Sequence, residues 1–204
     1  MLLALALAAA AATSDSTPPT PDCHVDHAAM MALPVNAFDQ DMDGGWRALD
    51  MRKGCQEAAA DLIADYRRLP KAQGIGLLAW HEAQIRADLG QSERAIALMR
   101  ESYKTEAEDK TGWNPYVDGT VAFLRKDRAA LEQARARLAG VIPPPSIEVK
   151  DGHYIMSVDG EELRVPWPPN LNVLDGLLRC FDQDYTTAYG TPACRSPGND
   201  DGTH

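Results

Sequence analysis

Acidic side chains at alternate positions are the sharpest chemical signal in this chain. Asp39, Asp41 and Asp43 are followed at once by Gly44, and Asp50 stands at the twelfth position of the run. Carboxylates so spaced can converge on one hard cation, the glycine allowing a sharp turn, and calcium favours such oxygen donors. Trp46 fills the apolar eighth position. Arg47 stands where an oxygen ligand is usual, Asp50 is shorter than the customary bidentate Glu, and Pro34 breaks the incoming helix. The competing reading is an Asx-rich loop that caps the helix starting near Trp46.

The other candidate chemistry is thinner. His81-Glu82-Ala83-Gln84-Ile85 opens like a zinc-protease helix, but Ile85 occupies the place of the second imidazole, so one helix face lacks its ligands. Cys23-His24 with Asp26 and His27 could hold a metal only with Cys23 reduced. His153 reads as a strand residue beside a turn. The sequence contains no Gly-rich phosphate loop and no Gly-x-Ser-x-Gly elbow, and no isolated Ser or Cys has a second feature that would make it a nucleophile. The expectation is a non-enzymatic protein, and the expected cofactor is none, calcium at the Asp39–Asp50 loop being the alternative.

Length and composition set the frame. A chain of 204 residues, 45% hydrophobic and 25% charged, supports a folded domain with a full core. A formal net charge of −10, with basic residues interspersed among acids, argues against a sequence-independent grip on nucleic acid or anionic lipid. Leu2 to Ala12 is an unbroken Leu/Ala run with small residues at its end, which reads as a signal peptide over 1–12. That run is too short to span a bilayer. A Ser/Thr/Pro-rich flexible linker follows over 13–22, and the expected location is periplasmic or secreted. Behind an export signal, four cysteines read as disulfides. Three pairings are possible. Cys23–Cys55 and Cys180–Cys194 are favoured, because each joins a terminal segment to a nearby helix.

These residues need elements to position them. Helices are expected over 24–33, 46–52, 55–68 and 72–89, with Gly90 as the stop of the last. Ser92 is expected to cap a helix to about Thr105, Asn114 one that runs to about Lys126, and Asp127 one that ends at Gly140. Pro143-Pro144-Pro145 ends the helical pattern. Asp151-Gly152 and Asp159-Gly160 then separate three short β-prone runs, Ile147–Lys150, Tyr154–Val158 and Leu163–Val165, predicting a three-stranded meander. Asn170 or Asn172 is expected to cap a last helix through Cys180, with a disordered tail over 196–204.

Between Gly54 and Gly140 one helical phrase recurs: Ala59 with Ile63 and Tyr66, Ala95 with Met99 and Tyr103, Ala130 with Ala134 and Leu138. The alanines are spaced by about 35 residues, a helix-turn-helix solenoid period. Ala83, Gly90, Ala95 and Met99 resemble the small–turn–small–large pattern of a tetratricopeptide repeat, and Gly54, Ala59 and Ile63 match it one repeat earlier. Gly119 and Ala130 give a degenerate third match. The chain is also similar to exported repeat proteins of Gram-negative bacteria. The resemblance implies a mainly α protein: a right-handed α-α superhelix of about three helix pairs over 23–142, with the meander and a capping helix over 143–195. It further implies an inner face that binds a peptide or protein partner in the cell envelope. Carried onto this sequence, that groove comprises Trp80, Gln84, Tyr116 and Thr120, with Trp113 at its edge. The competing reading puts Trp80 and Trp113 in gaps between repeats. The alternative function is a calcium-binding structural module built on the EF-hand-like loop at Asp39, Asp41, Asp43 and Asp50.

Overall fold

The computed structural model describes residues 21–158 and 160–195; the expected leader, most of the linker and the tail lie outside the described residues. Residue types set where its helices start and stop. Asp26 caps α1 (His27–Ala32), its carboxylate accepting from the Ala29 N–H, and Pro34 precedes α2 (Val35–Asp39). Then come α3 (Gly45–Asp50), α4 (Gln56–Arg67), α5 (Gly76–Asp88), α6 (Ser92–Glu101), α7 (Trp113–Leu124) and α8 (Arg128–Ala139). A hairpin of β1 (His153–Val158) and β2 (Glu161–Pro166) leads to α9 (Leu171–Arg179), α10 (Tyr185–Gly190) and α11 (Pro192–Arg195). The protein is thus mainly helical with one small antiparallel sheet.

Several boundaries differ from the sequence expectation for local reasons. The helix expected from Ala72 begins at Gly76, because Pro70–Ala72 forms a 3-10 turn and Gly74 adopts φ 78. Asn114 does not cap α7. Asp109 does so from four residues earlier, accepting from the N–H groups of Trp113 at 2.6 Å and Asn114 at 2.9 Å. Ser92 is the first residue of α6, with Gln91 in the cap position. At the other end of α5, Gly90 takes φ 73 and the Gln91 N–H reaches back to the Arg86 carbonyl, closing the helix as a glycine C-terminus should. Asp127 caps α8 as expected.

Successive helices pack on one another, α3 on α4, α4 on α5, α5 on α6 and α7 on α8. Two apolar clusters result. One holds Phe38, Trp46, Leu49, Ile63 and Tyr66 together with Leu78 and Ile85 of α5. The other takes Trp80, Ala83 and Ala87 from a different side of α5, Tyr116 and Phe123 from α7, and Leu174, Leu177 and Tyr185 from the C-terminal helices. Helix α5 is therefore a wall of both cores, and residues on either side of position 143 share one of them. Cys23 is bonded to Cys55 and Cys180 to Cys194, the favoured pairing.

The expected three-stranded meander is a two-stranded hairpin. β1 and β2 pair from His153↔Pro166 to Val158↔Glu161, but Ile147–Lys150 contributes only an isolated bridge, Lys150 to His153. Trp167 anchors the hairpin to the helices, its ring edge-on to Tyr154 and its indole N–H donating to the Val141 carbonyl at 3.0 Å.

Candidate functional site

The five residues expected to line an inner groove have separate fates. Trp80, Tyr116 and Thr120 are buried, at 3%, 2% and 0% exposure. What covers them is the chain's own C-terminus: α10 packs on α5, the Thr186 hydroxyl donates to the Asp88 carboxylate at 2.9 Å, and Gln84 lies beside Tyr185. Burial, with Tyr189 and Tyr185 close by, drives the Tyr116 hydroxyl well above its ordinary range. Trp80 and Tyr116 are core side chains here, and Gln84 is half-buried at their margin. Local periodicity identifies the inward face of α5 and α7. It carries no information about a helix that returns, 98 residues beyond Asp88, to cover that face.

Trp113 keeps an open side. Its ring meets Trp80 at 5.0 Å and Tyr116 at 5.7 Å, both edge-on, and its indole N–H donates to the Ser102 carbonyl at 2.8 Å. Beyond it lies a cavity of about 610 Å³, walled by Leu77, Tyr103, Lys104 and Glu108 over a floor of Gly76 and Ser102. Leu77 is 39% and Tyr103 42% exposed, two large side chains partly open to solvent beside a tryptophan. A smaller cavity of about 260 Å³ shares Gly74, Gly76 and Glu101 with it and extends the depression toward Arg67.

The walls of this groove are held in place. Asn114 brackets Lys104 through two hydrogen bonds, accepting from its N–H at 2.9 Å and donating to its carbonyl at 2.8 Å. That places the Lys104 ammonium 5.3 Å from the Trp113 ring centre, a cation–π distance. Tyr103 is fixed by donating its hydroxyl to Asp118, and burial together with that bond pushes its pKa up to about 12. Gly76 permits a close approach at the floor, since a Cβ there would lie 3.0 Å from the Ser102 Cα. Leu77 and Tyr103 were not singled out by sequence reasoning. Tyr103 closes the second copy of the repeated phrase, which marked it as a helix position and not as a groove wall.

The aspartate loop is organised differently from a calcium site. Asp39 is 2% exposed and turned inward, accepting from the Trp46 indole N–H at 2.9 Å and contacting Nδ1 of His81 at 2.7 Å. Asp41 accepts from the Asp43 N–H in an Asx turn, and Asp50 sits at the far end of α3. No group of three metal-capable side chains exists among the described residues, and no loop side chain caps α3; what the loop does in the structure is pin Trp46 and His81 through Asp39. The reason is that a buried carboxylate takes the nearest N–H donors, and Trp46 and His81 supply them. Burial pushes the Asp39 pKa up, but His81, Trp46 and Gln40 outweigh it and hold it below the usual carboxylate range. Two motifs weighed separately in the sequence, the aspartate run and His81-Glu82, thus meet in space.

Glu82 is also structural. It is 1% exposed and accepts from Arg67 at 2.6 Å and Arg94 at 3.3 Å, with Nε of the fully buried Arg86 at 3.6 Å. This cluster ties α4, α5 and α6 together. The arrangement offers apolar area, a ring-bound cation and polar rims, which is the chemistry of recognition. Compared with family models, curated proteins and solved structures, the chain matches none.

Proposed function

We propose that this chain is a disulfide-clamped, exported helical-repeat protein that binds a segment of a partner protein, and that the groove at Trp113 is where it does so. One observation carries the reading: of the expected groove residues, Trp113 walls an open cavity of about 610 Å³ beside the exposed Leu77 and Tyr103. Aromatic and aliphatic anchors around a tryptophan are the composition of a binding hot spot. The helical hairpins α5–α6 and α7–α8, each closed by a short turn, support a tetratricopeptide-like superhelix. Two disulfides, together with the Leu2–Ala12 run, support export to a periplasmic or extracellular compartment.

A peptide library displayed against the full chain, followed by titration of the selected peptides by tryptophan fluorescence, tests the reading. Leu77→Asp and Trp113→Ala should each weaken the selected peptides by roughly 30-fold, equivalent to about 2 kcal/mol. Leu77 is exposed, so its replacement leaves the core intact. Selected peptides whose affinity is unchanged in both variants would place the site elsewhere.

A further inference from the structure

The arm 146–150 and β1 begin a hairpin that they do not complete. Asp151 (φ 50) and Gly152 (φ 71) are both at positive φ, as a type I′ turn requires, and Lys150 and His153 exchange backbone hydrogen bonds of 2.8 and 3.0 Å across it. The next hydrogen-bonded pair would be Glu148 with Ile155. It is absent: the Ile147 N–H donates instead to the Pro144 carbonyl at 2.9 Å, and the arm departs from β1 in the turn that follows the proline run. The wedge left open is a cavity of about 670 Å³ with Ile147 and Glu148 on one wall and Ile155 and Met156 on the other.

The register says what the wedge offers. The Trp167 N–H donates to the Gly152 carbonyl, so with His153 opposite Pro166 the backbone groups of Tyr154 and Met156 face β2. Those of Ile155 point into the wedge and those of Ser157 point the same way along the outer edge just past it, and no strand among the described residues pairs with them. The two edges of the hairpin differ. β2 carries Glu161, Glu162, Arg164 and Pro166, residues that protect an edge from pairing, whereas β1 reads His-Tyr-Ile-Met-Ser-Val, with Ile155 58% exposed. A two-stranded hairpin is only marginally stable by itself and gains from a third strand.

The two faces also differ. By alternation, Lys150, His153, Ile155 and Arg164 share one face, and Tyr154, Met156, Leu163 and Val165 share the other. Lys150 and Arg164 form no ion pair among the described residues. We propose that the wedge accepts an extended strand of a partner protein, alternating acidic and apolar residues, which pairs with the outer edge of β1. Acidic side chains of the guest lie on the Lys150 and Arg164 face, and its apolar side chains extend the Met156 face.

The test is fluorescence anisotropy on the full chain with a labelled hexapeptide of alternating Glu and Val, compared with one of alternating Lys and Val. Saturable binding of the Glu peptide, at least tenfold tighter than the Lys peptide, is expected. Ser157→Pro removes an outward N–H without touching a bond to β2 and should weaken binding at least tenfold. Methylating alternate amides of the Glu peptide should do the same in the unaltered protein, whatever the variant does to the hairpin. Arg164→Glu should reverse the preference, and Trp113→Ala should leave it unchanged, which separates this edge from the groove. Equal binding of both peptides, or full affinity of the methylated one, overturns the proposal. So does a concentration-dependent dimer abolished by Ser157→Pro, for then a second copy occupies the edge.

Discussion

Asp39 is the residue whose role changed most between sequence and structure. Its carboxylate is held below its ordinary pKa, so it contributes stability that is full above the unfolded value of about 3.9 and is lost as pH falls through the lowered folded value. Asp39→Asn should therefore lower stability at neutral pH by about 1.5–3 kcal/mol, the worth of hydrogen bonds to a charged group. Thermal melts between pH 7 and 3 check both parts. The unaltered protein should lose stability more steeply below about pH 4 than the variant does. Equal slopes would mean that folding leaves the pKa of this carboxylate unchanged. The aspartate spacing was legible in the sequence. Its purpose was not, because His81 lies 42 residues away and its approach depends on how α5 packs on α2 and α3.

At the scale of elements, close approach between helices is the quantity that sequence periodicity approximates. Gly119 was legible as a small position in the repeat pattern, and α7 is indeed in contact with α9 there. A Cβ at Gly119 would stand 2.7 Å from the fully buried Leu174 side chain and 3.3 Å from Leu131. Gly119→Ala gains about 1 kcal/mol of helix propensity and meets an overpacking cost of about 1–3 kcal/mol, so it should be net destabilising. Gly190, at the end of α10, has nothing within 4 Å of a Cβ, and Gly190→Ala should be neutral or stabilising. Urea denaturation of the pair decides it. A stabilised Gly119→Ala would show that α9 is not packed on α7 in solution. The meander illustrates the opposite case: Asp151-Gly152 formed the turn its residues specify, yet the strand before it was drawn off by the prolines that precede it.

For the whole molecule, the two disulfides bracket two apolar cores that share α5. Cys23–Cys55 fastens the chain before α1 to the start of α4, and Cys180–Cys194 fastens the end of α9 to α11. In the chain-entropy picture, closing a separation of 32 residues stabilises by about 4 kcal/mol and one of 14 residues by about 3 kcal/mol. Replacing Cys23 and Cys55 with Ser should thus cost slightly more than replacing Cys180 and Cys194. Both variants should still unfold in one transition, since α5 couples the cores. Far-ultraviolet and near-ultraviolet circular dichroism, followed together through denaturant, should coincide. Separated transitions would show that the cores unfold independently.

The sequence by itself determined the helical class, most helix ends, the turn residues and the favoured cysteine pairing. The helical elements and turns depend on neighbours within a few positions, and the pairing follows which cysteines flank the same terminal segment and helix. Tertiary structure decided the rest. It buried Trp80 and Tyr116 beneath α10, left Trp113 with an open side beside Leu77 and Tyr103, and joined Asp39 to His81. Periodicity identifies which face of a helix is apolar but not what will cover it. Covering the face of α5 required a segment from the far end of the chain, and only the path of the folded chain determines that.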